Sequence, residues 1–506
     1  MAKQPALIGR PVTLVREPLR TWFALRSSPR RFALASAAVS LYAIVVILAF
    51  INSRSVWLDE SISVAMASQP FAQMCQMLRH VDAVHALYYS VLHLWLYLGH
   101  TAPIVRLLSA ICALIAMLAI GTLAALMFEQ AVAPSAVAVL ATSVYFVFYA
   151  DEARPTAFTL MTCSLTALCL WRVVERRRLR DIGVCVLCAV LSVYSNVLST
   201  LFIAGLALSL VFLRFDRVTL ARLAAACVAG GLALTPLIVL IHDNTLAQVS
   251  WIVRSTPREL ADFAVNLFGG DAGPGRIGHL AQLFAFAAVI GLMTVGTIVG
   301  WRARETRTSV VAALTWLVVP LCLAVIVDQR VQPILVTRYF SYALIPCVLL
   351  AGNGVLAVGR RSQPVVAYAI IFALALVSVH SLDSLQREDW RAAVRLVSND
   401  ARAGDGIVFW APLTITPYEF AVHEASIRPV AQIVYPSGPL INEVDYPDPR
   451  PGFARTVGLH FKRLWFIDSH DLRSSGAGNP FGGLTRNYSH IQRQRFTGID
   501  VIMYSR

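Results

Sequence analysis

The sequence predicts a polytopic α-helical membrane protein of about 11 transmembrane helices, closed by a small C-terminal α/β domain. Three observations carry that prediction. Hydrophobic residues make up 57% of the 506 positions and charged ones only 14%, with a mean hydropathy of +0.65. Apolar runs recur through the first 380 residues at lengths suited to crossing a bilayer. Beyond residue 385 the pattern changes to amphipathic and strand-like segments.

The N-terminal segment 1–31 carries Lys3, Arg10, Arg16, Arg20, Arg26, Arg30 and Arg31, which predicts a cytoplasmic start. Run 32–51 is long for a signal-peptide core and lacks a small-residue cleavage site, so it is expected to stay as the first span. The other runs are 104–127, 131–149, 156–174, 182–194, 197–213, 221–241, 279–300, 308–327, 339–359 and 364–381. Run 84–98 is ambiguous, and charge parity decides it. The cluster Glu175–Arg180 is strongly basic and should face the same side as the N-terminus, which requires an even number of crossings between them. Leaving 84–98 out gives that even number. It is then a helix lying on or dipping into the outer face, within a first outer loop spanning 52–103.

The same choice places the basic groups around Arg214, Arg302 and Arg360 inside. It places WLDES, YADEAR and YSN together outside. The transmembrane domain runs over 32–381, with a second long outer loop at 242–278, and 382–506 follows as an extracytoplasmic domain. In that domain REDWRAAVRLVSNDARAGDGIVFW reads as an amphipathic helix, a Gly-Asp-Gly turn and a buried strand. LWFID and GIDVIMY are further strands, and the Pro-rich 436–452 is a loop.

Composition also excludes. The net charge of +14 sits largely in short loops that set topology, so no nucleic acid is expected as a partner. All nine cysteines precede residue 350, most of them inside apolar runs, which argues against a disulfide framework or a zinc ribbon. The absence of a visible internal repeat weakens the inverted-repeat transporter class.

The candidate chemistry gathers on the outer face. Asp59 and Glu60 follow the first span among Trp57, Leu58 and Ile62, at the interface rather than in a polar loop. A carboxylate there can take a proton from a hydroxyl or bind a divalent cation. Asp82 and His85 are spaced to share a helical face or a metal, with Tyr88 and Tyr89 following; the plainer alternative is an interfacial aromatic belt. Asp151, Glu152 and Arg154 stand before Pro155, which opens the next helix. Arginines suit an anionic head group, and Arg254, Arg276, Arg330 and Arg338 are further candidates; as a plainer alternative, each is a loop or snorkelling residue. Acids, a histidine and arginines beside an aromatic interfacial helix fit a substrate with a polar anionic head and a lipid tail, as in a polyprenyl-phosphate sugar.

The ordered series WLDES, HVDAVHALYYSVLHLW, YADEARPTAFTL, YSN, TRYFSYALIPCVLLAG, DWRAAVRLV and ARAGDGIVF resembles bacterial GT-C glycosyltransferases. The likeness is to the protein-mannosyltransferase and aminoarabinose-transferase type (family 39 type), especially actinobacterial mannosyltransferases, and covers residues 32 to about 410. The resemblance implies a GT-C fold and an inverting, single-displacement transfer from a polyprenyl-phosphate-linked sugar, with mannose expected. The acceptor would be a cell-envelope glycan, glycolipid or protein at the extracytoplasmic face of a bacterial plasma membrane. It implies Asp59 as catalytic base with Glu60 beside it. Asp82, His85, Tyr88, Asp151, Glu152, Arg154, Arg254, Arg330 and Arg338 are the expected substrate-binding residues. Family members differ in metal use, so a divalent cation between Asp59 and His85 stays open.

Two features depart from the family pattern: Asp151 replaces a common Gln, and Ala86-Leu87 replaces paired prolines. A lipid-linked-glycan flippase is the alternative. It would place ionisable groups near mid-membrane, whereas the central parts of most runs here lack charge. A non-catalytic scaffold is a third reading.

Overall fold

The computed structural model describes residues 29–213, 215–242, 252–271, 273–361, 364–385, 387–437, 453–469 and 488–506. Most of the basic segment 1–31, part of the loop 242–278 and most of the Pro-rich stretch 436–452 lie outside the described residues.

Seven helices among the described residues are long and apolar enough to cross a membrane, or eight if one bent pair counts as a single span. The chain opens with α1 (Pro29–Phe50), α2 (Leu58–Ala67), α3 (Phe71–His80) and α4 (Ala86–Trp95). Ten residues of α4 extend about 15 Å, half of the ~30 Å hydrocarbon layer, so α4 is too short to cross. It does not simply rest at an interface, however: Tyr88, Tyr89 and Leu92 are fully buried in the main core, whereas Leu94, Tyr97 and Leu98 are exposed.

Helices α5 (Ala102–Met127), α6 (Val132–Ala141), α7 (Val144–Ala150) and α8 (Pro155–Arg176) follow. The expected continuous span 131–149 is corrected: α6 and α7 meet at a bend of 68°. Two hydroxyls make that break. Thr142 Oγ1 donates back to the carbonyl of Ala138 at 2.8 Å, and Ser143 caps α7 by accepting from the Phe146 amide. Pro155 then starts α8, where its missing N–H costs nothing.

The expected run 182–194 lies in α9 (Leu179–Ser195), and 197–213 contracts to the eleven-residue α10 (Ser199–Ser209). Next come α11 (Arg217–Ala233), α12 (Thr235–His242), the amphipathic α13 (Pro257–Gly269), α14 (Gly275–Arg302) and α15 (Arg307–Arg330). A 3₁₀ segment, Thr337–Ala343, leads into α16 (Leu344–Arg361), and α17 (Pro364–Ser384) ends the bundle. Helices α14 and α16 cross in near backbone contact. A Cβ on Gly296 would collide with the Leu350 carbonyl, and one on Gly354 with the Leu292 carbonyl.

Alternating helix directions sort the loops. The 51–57, 151–154, 195–198 and 331–343 segments meet at one end of the bundle, joined by contacts such as Arg106 to the Ile51 carbonyl and Asn196 to the Tyr339 carbonyl. The basic clusters belong to the other end, where Arg360 pairs with Glu129 and Arg177 with Asp216.

The C-terminal domain sits on the acid-bearing end. It contains α18 (Trp390–Asp400), β1 (Gly406–Phe409), α19 (Ile415–Glu424), β2 (Gln432–Tyr435), α20 (Phe453–His460), β3 (Arg463–Ser469), β4 (His490–Phe496) and β5 (Ile499–Ser505). The sheet order is β2-β1-β3-β5-β4, with β1 parallel to both neighbours and β5 antiparallel to both of its own. Strand alternation feeds two cores. Ile407, Phe409, Trp465 and Ile467 pack with Trp390 on one face, while Val408, Leu464 and Phe466 pack with Tyr504 on the other. The domain is fastened to the first loop by Arg391. Its guanidinium binds the Asn52 carbonyl at 2.8 Å and Glu424 at 2.8 Å, and Ser61 meets Thr416 at 2.9 Å.

Candidate active site

The first turn of α2 sends its two acids in different directions. Glu60 turns inward, where Arg106 Nε donates to Oε1 at 2.8 Å and Nη2 to Oε2 at 2.7 Å, and the Ala153 amide adds a bond at 2.8 Å. Both side chains are 1% exposed. Burial would raise the Glu60 pKa, but the Arg106 charge and hydrogen bonds and the Ala153 amide hold it below the ordinary carboxylate value. The remaining Arg106 donors reach the Ile51, Arg54 and Ser55 carbonyls. With both oxygens committed, Glu60 ties α5 to the 51–55 and 151–154 loops.

Asp59 faces an arginine pair instead. Its Oδ2 lies 3.1 Å from Arg338 and 3.5 Å from Arg154, yet this buried oxygen accepts no hydrogen bond among the described residues. Arg154 is positioned by Ser63 Oγ at 3.0 Å and the Asp59 carbonyl at 3.3 Å. Arg338 lies in the 3₁₀ segment before α16, its guanidinium 5.5 Å from the Tyr339 ring centroid.

Asp82 completes this cluster from a left-handed backbone conformation, φ 57° and ψ 22°. That conformation is uncommon outside glycine, though asparagine and aspartate tolerate it best. It aims the carboxylate at the Tyr89 hydroxyl, which donates at 2.6 Å, and at Arg154, 4.0 Å away. Burial pushes the Asp82 pKa up, but Arg154, His85 and the tyrosine bond outweigh it and bring it below the usual value.

His85 Nδ1 lies 2.8 Å from the Ser195 carbonyl, which assigns the ring proton to Nδ1 and leaves a lone pair on Nε2. Nε2 is buried without a hydrogen-bond partner among the described residues, and burial lowers the ring's pKa despite Asp82 nearby.

The arrangement offers a divalent cation few ligands. No three His, Cys, Asp or Glu side chains come together as a metal-ligating group among the described residues. Moreover Asp59 faces two guanidiniums, which repel a dication from the same carboxylate. Asp59 is thus an ion-paired acid and His85 a separately anchored imidazole.

Asp151 and Glu152 flank a neighbouring cavity. Arg54 pairs with Asp151 at 2.7 Å, and Arg387 from the C-terminal segment approaches Glu152 at 3.6 Å. Burial raises both pKa values against those arginines, that of Asp151 to about 6. Both carboxylates are at most 3% exposed.

Tyr88 is fully buried and packs edge-on against Tyr89 and Phe158, which makes it a wall of the core rather than a surface contact. Arg254 and Arg330 are exposed and join no ion pair of the cluster among the described residues. They flank a different junction, where buried Asp328 accepts from the Ser255, Ile334 and Leu335 amides. Arg276 is likewise exposed at the start of α14.

Sequence reasoning did not single out Arg106, Arg54 or Arg387. Arg106 carried a usable signal, since an arginine inside an apolar run needs a buried partner. Arg387 had none, because its place over the Trp57 ring, 3.7 Å from the centroid, depends on how the C-terminal domain docks.

The family described as dolichyl-phosphate-mannose-protein mannosyltransferase matches residues 83–242. No curated protein matches by sequence. Among solved structures, ArnT from Cupriavidus metallidurans in the apo state superposes with a TM-score of 0.57 at 13% identity, covering 93% of this chain and 97% of that one. The same protein bound to undecaprenyl phosphate gives 0.56 at 12% identity, covering 93% and 98%. The Archaeoglobus fulgidus oligosaccharyltransferase, in complex with Zn and sulfate, gives 0.54 at 13% identity, covering 92% and 73%. The chain thus shares its fold with ArnT and with the oligosaccharyltransferase and is a multi-pass membrane protein.

Proposed function

We propose that this protein is a membrane glycosyltransferase that moves a sugar from a polyprenyl-phosphate donor to an acceptor hydroxyl. The observation that carries the reading is the setting of Asp59: a buried carboxylate oxygen between two arginines that accepts no hydrogen bond among the described residues. Such an oxygen is able to receive a proton, and the adjacent guanidiniums are suited to a departing phosphate. The fold shared with a protein solved in complex with undecaprenyl phosphate supports a lipid donor.

In the proposed step Asp59 removes the acceptor hydroxyl proton as that oxygen attacks the anomeric carbon. The bond between the anomeric carbon and the phosphate oxygen breaks on the opposite side, inverting the configuration. Polyprenyl phosphate leaves with the bonding electrons, and Arg338 and Arg154 stabilise the charge it gains. Asp82 and Tyr89 position Arg154. Mannose is the proposed sugar, in keeping with the description of the matching family. The extracytoplasmic face is the proposed side, because the basic clusters lie at the opposite end of the bundle.

A reconstituted transfer assay separates this from flipping. Protein in sealed vesicles receives polyprenyl-phosphate mannose labelled in the sugar, together with an envelope extract. Covalently transferred label is the expected result. Label that changes leaflet with its sugar–phosphate bond intact would make the protein a flippase.

A further inference from the structure

Between the bundle and α18 lies a cavity of about 260 Å³, bounded by the 53–57 and 148–152 segments and by residues 387–395. It is distinct from the Asp59 cluster: Glu60 lines it and Asp59 does not, so the first turn of α2 is the wall between them.

Three features define what it can hold. First, it has unused hydrogen-bonding capacity. Arg54 Nε, Trp57 Nε1, Asp151 Oδ1 and both oxygens of Glu152 are buried around it without hydrogen-bond partners among the described residues. Buried polar atoms in that number are costly unless a ligand or water satisfies them. Second, its formal charge balances: five arginines and five acids line it. Balanced charge disfavours a phosphate or a metal ion and favours a neutral ligand rich in both donors and acceptors. Third, it is small beside ligand pockets of about 300–1,000 Å³, and the Trp57 and Phe148 rings in its wall carry the Arg54 and Arg387 guanidiniums over them. A sugar ring has that size and those paired hydroxyls.

We propose that this interdomain cavity binds one neutral saccharide ring, the acceptor end of a glycan, with Asp151 and Glu152 accepting from its hydroxyls and Arg54 and Trp57 donating to them. The proposal rests on the glycosyltransferase reading and makes the acceptor a carbohydrate rather than a peptide. Arg387 and α18 supply one side, so the C-terminal domain contributes directly to acceptor choice.

The test is ligand binding to the full chain in nanodiscs, read by saturation-transfer NMR without donor. The probes are methyl α-mannopyranoside, methyl α-arabinofuranoside, a serine-containing peptide and inorganic phosphate. At least one glycoside should bind, and Glu152→Gln should weaken it by about tenfold or more, the loss expected for a hydrogen bond to a charged group. Ala392→Trp fills the cavity from the half-buried face of α18 and should weaken it comparably. Binding of neither glycoside, binding indifferent to both substitutions, displacement by phosphate, or binding of the peptide alone overturns the proposal. Donor turnover by the same preparation keeps the two readings apart. Turnover without glycoside binding rejects the cavity assignment alone, whereas absence of both counts against the glycosyltransferase reading.

Discussion

At the residue scale, adjacent acids acquire opposite parts because a helix turns about 100° per residue. Asp59 reaches an arginine pair with an oxygen to spare, and Glu60 reaches Arg106 with none. Breaking a buried ion pair from one side costs about 3–5 kcal/mol, since the other charge is left uncompensated. Arg106→Met is therefore expected to lower unfolding stability by about that amount at neutral pH. The sign with pH follows from Glu60, whose pKa is depressed in the folded state. Its contribution is complete above the ordinary carboxylate range and is lost as pH falls through the lowered value. The gap between Arg106→Met and the wild type should close in strong acid; a gap constant with pH would remove Glu60 from the account. This pair was half legible. The buried arginine was visible in its apolar run, but its partner was hidden, because residues 60 and 106 meet only when α2 folds back onto α5.

At the element scale, α4 was legible through an indirect signal. Its length was ambiguous in the sequence, and charge parity excluded it from the crossings; at ten residues it is too short to cross. What parity did not report is depth, since Tyr88 and Tyr89 are core residues rather than interfacial ones. Nor did hydropathy show the 68° bend between α6 and α7, which two adjacent hydroxyl residues make inside an otherwise apolar run. The position of α4 predicts that cysteines replacing His80 and His100, in a background without the nine native cysteines, react with a membrane-impermeant maleimide from the same side. Labelling from opposite sides would make α4 a crossing helix and separate Asp59 and Asp82 from Arg154.

At the scale of the whole molecule, the bundle collects its acid-bearing loops at one end and the C-terminal domain closes over them. The motif order and the strands around Gly406, Trp465 and Val501 were readable because each is a local pattern. Strand β4 was not, since its face is almost wholly exposed and polar. Arg387 and Arg391 were unreadable as site and docking residues, because their partners lie more than 200 positions away in the first loops. The central claim is that this assembly exists to let Asp59 take a proton while polyprenyl phosphate leaves. Its most direct test is single-turnover transfer from polyprenyl-phosphate mannose by wild-type and Asp59→Asn protein, with donor binding measured in parallel by native mass spectrometry. The account predicts retained donor binding with transfer lowered at least about a hundredfold, as for loss of a general base. Transfer by Asp59→Asn at the wild-type rate would contradict it.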